Sequence, residues 1–451
     1  MTAYSARAGD RLPQASVADT AAALADLLGP PIAKGVILRR PRMVALAERL
    51  DLDRRMVRRM QALRRRYGEG PLMLRLPGRS QALVFAPEDV RRVLDWTPDP
   101  FSPDSSEKHA ALAHLEPRGS LISRGPARDV RRRFSDAALA SDRRVHPLAD
   151  RFATVVRQEV DSLLRWADRA GSMIGWSDFV VAWSAIVRRV VLGDAAREDH
   201  ELTDMLVRLR AAANWAFLHP GHPALRARFH RRLAQHLARA EPGSLAAAAA
   251  DLPAAPGTAP TDQVTQWLFA AGPAGIAGFR ALALLATQPG AADRAAAEAA
   301  GGGPELPFLR AAFLEGLRLW PTTPLILRQT TQETLWHDGA MPAGTGIAIV
   351  APFFHRDDET LPFADRFHPA LWLDGGRESR LPAGWPLLPF SGGPGKCPAR
   401  HLVPLLASLT LAALLERHRF HMGDPGRLDP ARPLPSALDP FSLAFAVRPA
   451  A

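Results

Sequence analysis

The chain has 451 residues, 47% of them hydrophobic, and a formal net charge of +11. That size and apolar content supply a large core, as one big domain or two modest ones. The single cysteine, Cys397, excludes intrachain disulfides and cysteine-rich zinc or iron–sulfur sites. Arginine carries nearly all the positive charge, since Lys34, Lys108 and Lys396 are the only lysines. Such a balance favours acidic partners, but no nucleic-acid motif and little aromatic interleaving accompany it, so nucleic acid is not expected. No run of eighteen or more uninterrupted apolar residues occurs, and the opening MTAYSARAGD has no apolar run after a basic region. Neither a membrane span nor a secretory signal is expected, which makes the cytoplasm the expected location.

In chain order, residues 1–34 read as a partly flexible N-terminal segment and 35–451 as a single domain. The densest basic run, Arg39 to Arg66, carries Met43, Leu46, Leu50, Met56, Met60 and Leu63 at roughly helical spacing and reads as a helix with a solvated basic face. GPLMLRLPGRSQALVFAP reads as a strand pair turning at Pro77–Gly78. Helical spacing then dominates over Arg128–Leu139, Val145–Trp166, Glu201–Trp215 and Ala224–Ala240. The stretch SLAAAAADLPAAPGTAP and the glycines 301–303 read as loops. His219 and His222 in HPGHP are spaced like metal ligands, but proline-bounded loops commonly carry such pairs without metal. Past Pro321 the chain turns to strand and turn, then closes with a helix from about Ala399 to Arg417. The class is mainly α with minor β.

Chemistry concentrates at Cys397. A lone cysteine is ordinarily an inert buried side chain. Here FSGGPGKCPARHL places Phe390 seven residues ahead of it, with Gly392, Gly393, Pro394 and Gly395 between. Glycines at that density allow a tight turn that approaches a flat cofactor closely. Pro398 reads as the opening of a helix, so the sulfur sits at a helix N-terminus, where thiolate is favoured over thiol. Such a thiolate suits a metal, and a single axial bond to haem iron is its natural use. FSGGPGKC resembles the cysteine-loop signature of the cytochromes P450. The resemblance implies that family's fold, with haem b between a long distal helix and a proximal Cys-loop helix. It makes Cys397 the iron ligand, with Phe390, Gly392, Gly393, Gly395 and Ala399 around it.

Further matches run from about Gly35 to the C-terminus. In PFLRAAFLEGLRLWPTTP, Glu315 and Arg318 are three apart on one helix face. They resemble the family's Glu-x-x-Arg pair, which is buried and supports the haem-binding core. Arg328 matches an arginine that binds a haem propionate, a carboxylate that suits a guanidinium fork. RGPARDVRRRF resembles the helix whose residues reach the propionates, and those positions fall on Arg128 and Arg132.

The helix beginning near Thr261 aligns with the one crossing the distal haem face, where the family motif is Ala/Gly-Gly-x-Asp/Glu-Thr. Ala271 and Gly272 match it, whereas Ala274 stands for the acid and Gly275 for the threonine that relay protons. Pro273 removes a helical hydrogen bond and is expected to kink the helix. Leu371 replaces an arginine that usually completes a triad with Glu315 and Arg318, so those two must find backbone partners. Ala399 and Gly395 stand where glycine and histidine are common. The substrate pocket is expected at Trp215, Phe217, Thr323, Leu325, Ile326 and Phe441. The resemblance implies an oxidoreductase that hydroxylates or oxidatively couples a mostly apolar small molecule, such as a secondary metabolite. Electrons would come from a separate acidic ferredoxin or flavodoxin, and protons from the substrate or ordered water. The alternatives are a peroxide-driven peroxygenase and a non-catalytic haem or ligand-binding protein.

Overall fold

Residues 11–218, 221–253, 255–373 and 381–450 are described by the computed structural model. Its first helices, α1 (Val17–Ala23) and α2 (Gly29–Lys34), are joined by a π-helical turn at Leu24–Leu28. Residues 11–34 are packed rather than free. Leu12, Ala15, Ala23 and Leu27 are buried, and the Ala15 and Met73 N–H groups donate to the Met73 and Pro13 carbonyls at 2.9 Å each.

The basic run forms two helices, α3 (Pro41–Arg49) and α4 (Leu52–Tyr67), broken at Asp51, whose φ is 50°. The arginines of α4 do not make a bare solvated face. Arg59 pairs with Asp26 at 2.8 Å, Arg64 with Asp357 at 2.9 Å, and Arg58 with Asp358 at 2.7 Å. The helix is thus tied to the N-terminal segment and to the 357–359 turn. Sequence periodicity finds its apolar face but not these partners; Asp357 and Asp358 lie some 300 positions away.

β1 (Leu72–Leu76) and β2 (Arg79–Leu83) pair antiparallel as predicted, with Gly78 at φ 65° in the turn. After α5 (Pro87–Asp95), β3 (Phe101–Ser102) and α6 (Ser106–Leu112), the helical body comprises α7 (Gly125–Ala138), α8 (Ala149–Arg169), the short β4 (Met173–Gly175), α9 (Trp176–Leu192), α10 (His200–Ala213), α11 (Pro223–Arg239) and α12 (Leu245–Ala250). It continues through α13 (Pro260–Thr287), α14 (Ala291–Ala300) and α15 (Pro307–Leu319). Then come β5 (Leu325–Thr330), β6 (Thr334–Trp336), β7 (Gly339–Met341), β8 (Gly346–Val350), α16 (Ala351–Arg356), α17 (Leu402–Leu415), β9 (His418–Met422) and β10 (Ala444–Pro449). One sheet runs β1-β2-β8-β5-β3 and a second runs β4-β10-β9.

Two helices depart from expectation. α12 lies inside the alanine-rich stretch expected as a loop; Ser244 caps it by accepting from the Ala247 N–H at 3.1 Å, and five alanines propagate it. α9 has no clear apolar stripe in sequence because it is buried on several sides, against α8 and α13. At the centre, α13 packs against α9, α15 and α17. It is long and apolar enough to cross a membrane by length and composition, but most of it is buried as the core helix.

Candidate functional site: a cysteine loop among buried cations, and a cavity beside the long helix

Residues 390–397 form a closed loop. The Cys397 N–H donates to the Phe390 carbonyl at 2.9 Å, and Gly393 adopts φ 57°. Its glycines are required by close approach. A Cβ on Gly393 would strike the Leu94 carbonyl of α5, one on Gly392 would lie 3.0 Å from Leu94 Cδ1, and one on Gly395 would lie 2.6 Å from Arg328 Nη2. Regular helix begins only at Leu402, so Pro398–His401 are a turn leading into α17 rather than its first turn. Cys397 therefore stands before the helix and not at its first position. Burial pushes its thiol up, against a lowering from the Ala399 N–H and from Arg132 and Arg400. The protein alone thus favours the neutral thiol, and a bound metal cation would be what deprotonates it.

Three of the expected arginines converge on this loop. Arg128 and Arg132, one turn apart on α7, both direct an N–H at the Pro394 carbonyl at 3.4 Å, and Arg132 also pairs with Asp136 at 2.7 Å. Arg328, on β5, is 2% exposed and donates to the Thr97 hydroxyl at 3.0 Å, the Leu327 carbonyl at 2.9 Å and the Ser391 hydroxyl at 3.3 Å. Burial, with a smaller contribution from Arg128, pushes it down to about 10. Sequence reasoning missed a fourth cation, Lys108, whose ammonium donates to the Pro103 and Leu327 carbonyls at 2.9 and 3.0 Å. Burial and the nearby Arg328 hold it well below its usual range. Like charges gathered in a low-dielectric interior are costly unless an anion joins them. The donor set fits the two carboxylates of a haem: Arg328, Arg128 and Lys108 would hold the propionates, and Cys397 would offer its sulfur to the iron.

The bracing pair is fully buried. Arg318 Nε and Nη2 donate to the two Glu315 oxygens at 2.7 and 2.9 Å. In place of a second arginine, Glu315 accepts from the His368 N–H at 2.7 Å and from Trp372 Nε1 at 2.9 Å. Arg318 also donates to the His355, Ala364 and Arg366 carbonyls at 3.0, 2.9 and 2.6 Å. Leu371 itself is simply buried.

α13 requires a correction. A cavity of about 280 Å³ lies against it, and the side of the helix that lines it includes Leu268, Phe269, Gly272, Pro273 and Ile276. Those positions are i, i+1, i+4, i+5 and i+8, one helical face. Ala271 also reaches the cavity edge, but Ala274 and Gly275 do not line it. A Cβ on Gly275 would sit 2.8 Å from Trp183 Cδ1 of α9, and Trp183 Nε1 donates to the Ala271 carbonyl at 2.7 Å. Gly275 is therefore a packing glycine, and the cavity-facing pair is Gly272–Pro273. Ala-Gly recurs at 271–272, 274–275 and 277–278, so the sequence offers several registers and helix packing chooses between them. The helix remains helical through Pro273. The nearby Thr265 hydroxyl is committed to the Thr261 carbonyl at 2.8 Å. Gly275→Ala is expected to destabilise the protein by about 1–3 kcal/mol through overpacking on Trp183. A chemical-denaturation midpoint measures this, and Trp183→Leu in the same chain should recover part of the loss.

The pocket expectations divide. Thr323 and Phe441 line the cavity. Leu325 and Ile326 belong to β5; Ile326 is buried in the core beside the sheet, and neither lines the cavity. Trp215 and Phe217 are 47% and 70% exposed, with Arg40 over the Trp215 ring at 4.4 Å, and neither lines it. The loop after α10 points them outward. Cavity residues missed from sequence include Arg39 and Arg210. His219 lies outside the described residues, and no cluster of three metal-ligating side chains occurs among the described ones.

A closed cysteine loop, a cationic cradle and a long core helix thus occur together in a mainly α fold with minor β. The sequence and the fold both carry that match to a family. The cytochrome P450 family model matches residues 280–438. The chain is similar to a crystal structure of a cytochrome P450 (CYP102L1), with TM-score 0.72 and 17% identity, over 99% of this chain and 100% of that one. It is also similar to retinoic acid bound cyanobacterial CYP120A1, with TM-score 0.67 and 16% identity, over 86% and 94%. Among curated proteins it is 35% identical to cyclooctat-9-en-7-ol 5-monooxygenase of Streptomyces melanosporofaciens over 26% of this chain and 25% of that protein. It is 32% identical to cytochrome P450 4c21 of Blattella germanica over 25% and 22%. These alignments span about a quarter of the curated relatives' length. The chain has the fold of the cytochromes P450, and its residues 280–438 match that family's model.

Proposed function

We propose that the protein is a haem-thiolate monooxygenase acting on a mostly apolar small molecule, with electrons from a separate ferredoxin or flavodoxin. The observation that carries the reading is the Cys397 loop closed among Arg128, Arg328 and Lys108, with no carboxylate of the described residues hydrogen-bonded to Arg328 or Lys108. Relatives named as monooxygenases, including the Streptomyces melanosporofaciens protein, support the reaction class. The apolar cavity walls support the substrate class.

When bound, haem supplies dioxygen activation and oxygen-atom insertion. The residues of this chain hold and shield. Cys397 offers one sulfur from a loop whose shape the Phe390 carbonyl closes. Arg128, Arg328 and Lys108 fix the orientation of a dicarboxylate. Glu315 and Arg318 tie α15 to the 355–372 segment. Leu268, Phe269 and Ile276 keep the cavity beside α13 apolar and substrate-sized.

Cys397→His tests the reading. The native protein, reduced and treated with carbon monoxide, should show the red-shifted Soret band of thiolate ligation, and the variant should lose it. A thiolate spectrum that survives in the variant rules out Cys397 as the ligand. A peroxide-driven reaction is favoured by one specific observation: Gly272 and Pro273 on the cavity face of α13 offer neither acid nor alcohol. Turnover supported by hydrogen peroxide at least as fast as turnover with an electron donor would select that reading.

A further inference from the structure

The cavity beside α13 carries charge that an apolar substrate alone does not need. Arg210 projects from α10 and is 8% exposed. Two of its terminal nitrogens lie 2.8 and 2.9 Å from where a Cβ on Gly272 would be, so the guanidinium occupies the space that glycine leaves open. Nη2 donates to the Ile37 carbonyl at 3.0 Å, and the carbon of the guanidinium lies 4.9 Å from the Phe269 ring centre. Nε is buried and has no hydrogen-bond partner among the described residues. A second cation, Arg39, lines the same cavity and donates to the Gly35 and Thr322 carbonyls. Arg188 also lines it, but its N–H groups are taken up by Thr203 and the 196–197 carbonyls. Among the described residues lining this cavity there is no Asp or Glu. Burial, with a smaller contribution from Arg39, pushes Arg210 down to about 10.

A buried guanidinium with an idle donor and no counter-ion is costly in a protein that gains nothing from it. It becomes favourable when a ligand anion completes it. Guanidinium geometry matches a carboxylate, and the surrounding walls (Leu206, Leu268, Phe269 and Ile276) are apolar. The volume, about 280 Å³, is small for a ligand site and suits one compact or slender chain with one polar head.

We propose that this cavity binds an apolar small molecule bearing one carboxylate, and that Arg210, seated against Gly272, holds that carboxylate. This deepens the monooxygenase reading by naming a substrate class, while the binding itself depends on Arg210 and Gly272 and not on the reaction. The carboxylate would then lie against the cavity-facing stretch of α13 that has no acid or alcohol of its own.

The test uses the purified haem-containing protein. Straight-chain carboxylic acids of increasing length, with the alcohols and methyl esters of the same chains, are titrated by calorimetry near neutral pH. The acids should bind about tenfold or more tighter than their neutral counterparts, as one charge-assisted pair implies. That preference should collapse in Arg210→Met and survive in part in Arg210→Lys. Gly272→Asp provides an independent variant: its new side chain meets only the flexible end of Arg210 and supplies an internal carboxylate, so it too should erase the preference. Equal affinity for acids and alcohols in the native protein, or no binding by any acid of the series, overturns the proposal without recourse to a variant. The carbon monoxide spectrum on the same sample separates the two readings. A thiolate band without acid preference sinks the carboxylate site alone, whereas acid preference without the band sinks the haem-thiolate reading alone.

Discussion

Glu315→Ala should cost the protein about 3–5 kcal/mol, the penalty of leaving one half of a buried ion pair uncompensated. Glu315 and Arg318 are both fully buried, and the carboxylate gathers four donors from two segments: Arg318 twice on its own helix, and the His368 N–H and Trp372 Nε1 from the 366–372 turn. Truncation leaves the Arg318 charge in the core and strips partners from the 366–372 turn in the same step. Against a whole-protein stability of about 5–15 kcal/mol, that is a large fraction. The expected result is a sharply lowered denaturation midpoint and a reduced share of haem-loaded protein on purification. Glu315→Gln keeps the shape and loses the charge, so it should fall between. Paired apolar replacement at both positions should be milder than either single truncation, because no lone charge is left behind. Single truncations that shift stability by less than about 0.5 kcal/mol, the range of ordinary surface changes, would contradict the bracing role.

Much of the cysteine loop and its bracing pair was legible in the sequence, and much of the cavity beside α13 was not. Cys397, its glycines, Glu315, Arg318 and Arg328 sit in short motifs whose spacing is set by local backbone geometry. A loop that passes under the Leu94 carbonyl can carry only glycine at Gly393, and that requirement is written locally. Lys108 and Arg210 reach their sites from helices far away in sequence, with no motif of their own; each is one cation among many. The register of α13 failed for a different reason. Three Ala-Gly pairs at a spacing of three leave the helix face undetermined until Trp183 packs on Gly275. Likewise α9 escaped notice because a helix buried on several sides has no amphipathic stripe. Trp215 and Phe217 misled in the opposite sense, as aromatic residues near a helix end that the fold leaves exposed.

Pro273→Thr should change both stability and coupling, and the two effects can be separated. Proline within a helix forfeits the N–H that would reach the Phe269 carbonyl and costs about 3 kcal/mol relative to an ordinary residue. Both Pro273→Ala and Pro273→Thr should therefore raise the denaturation midpoint, because α13 is already helical at this position. Only threonine adds a hydroxyl to the cavity face. The native chain presents Gly272 and Pro273 there, the Thr265 hydroxyl is turned to the Thr261 carbonyl, and the side chain seated against Gly272 is the Arg210 cation, a poor proton donor. General acid assistance is typically worth about 10²–10⁴-fold. A neutral apolar probe, lacking any acidic group, should thus be oxidised poorly by the native protein with an electron donor, most reducing equivalents ending as hydrogen peroxide. Threonine at 273 should raise the product formed per electron for that probe, and alanine should not. A carboxylate-bearing substrate, which brings its own ionisable group to Arg210, should gain little from the same change. Equal coupling of the neutral probe in the native, alanine and threonine proteins would show that protons reach the reacting centre by a route independent of this face of α13.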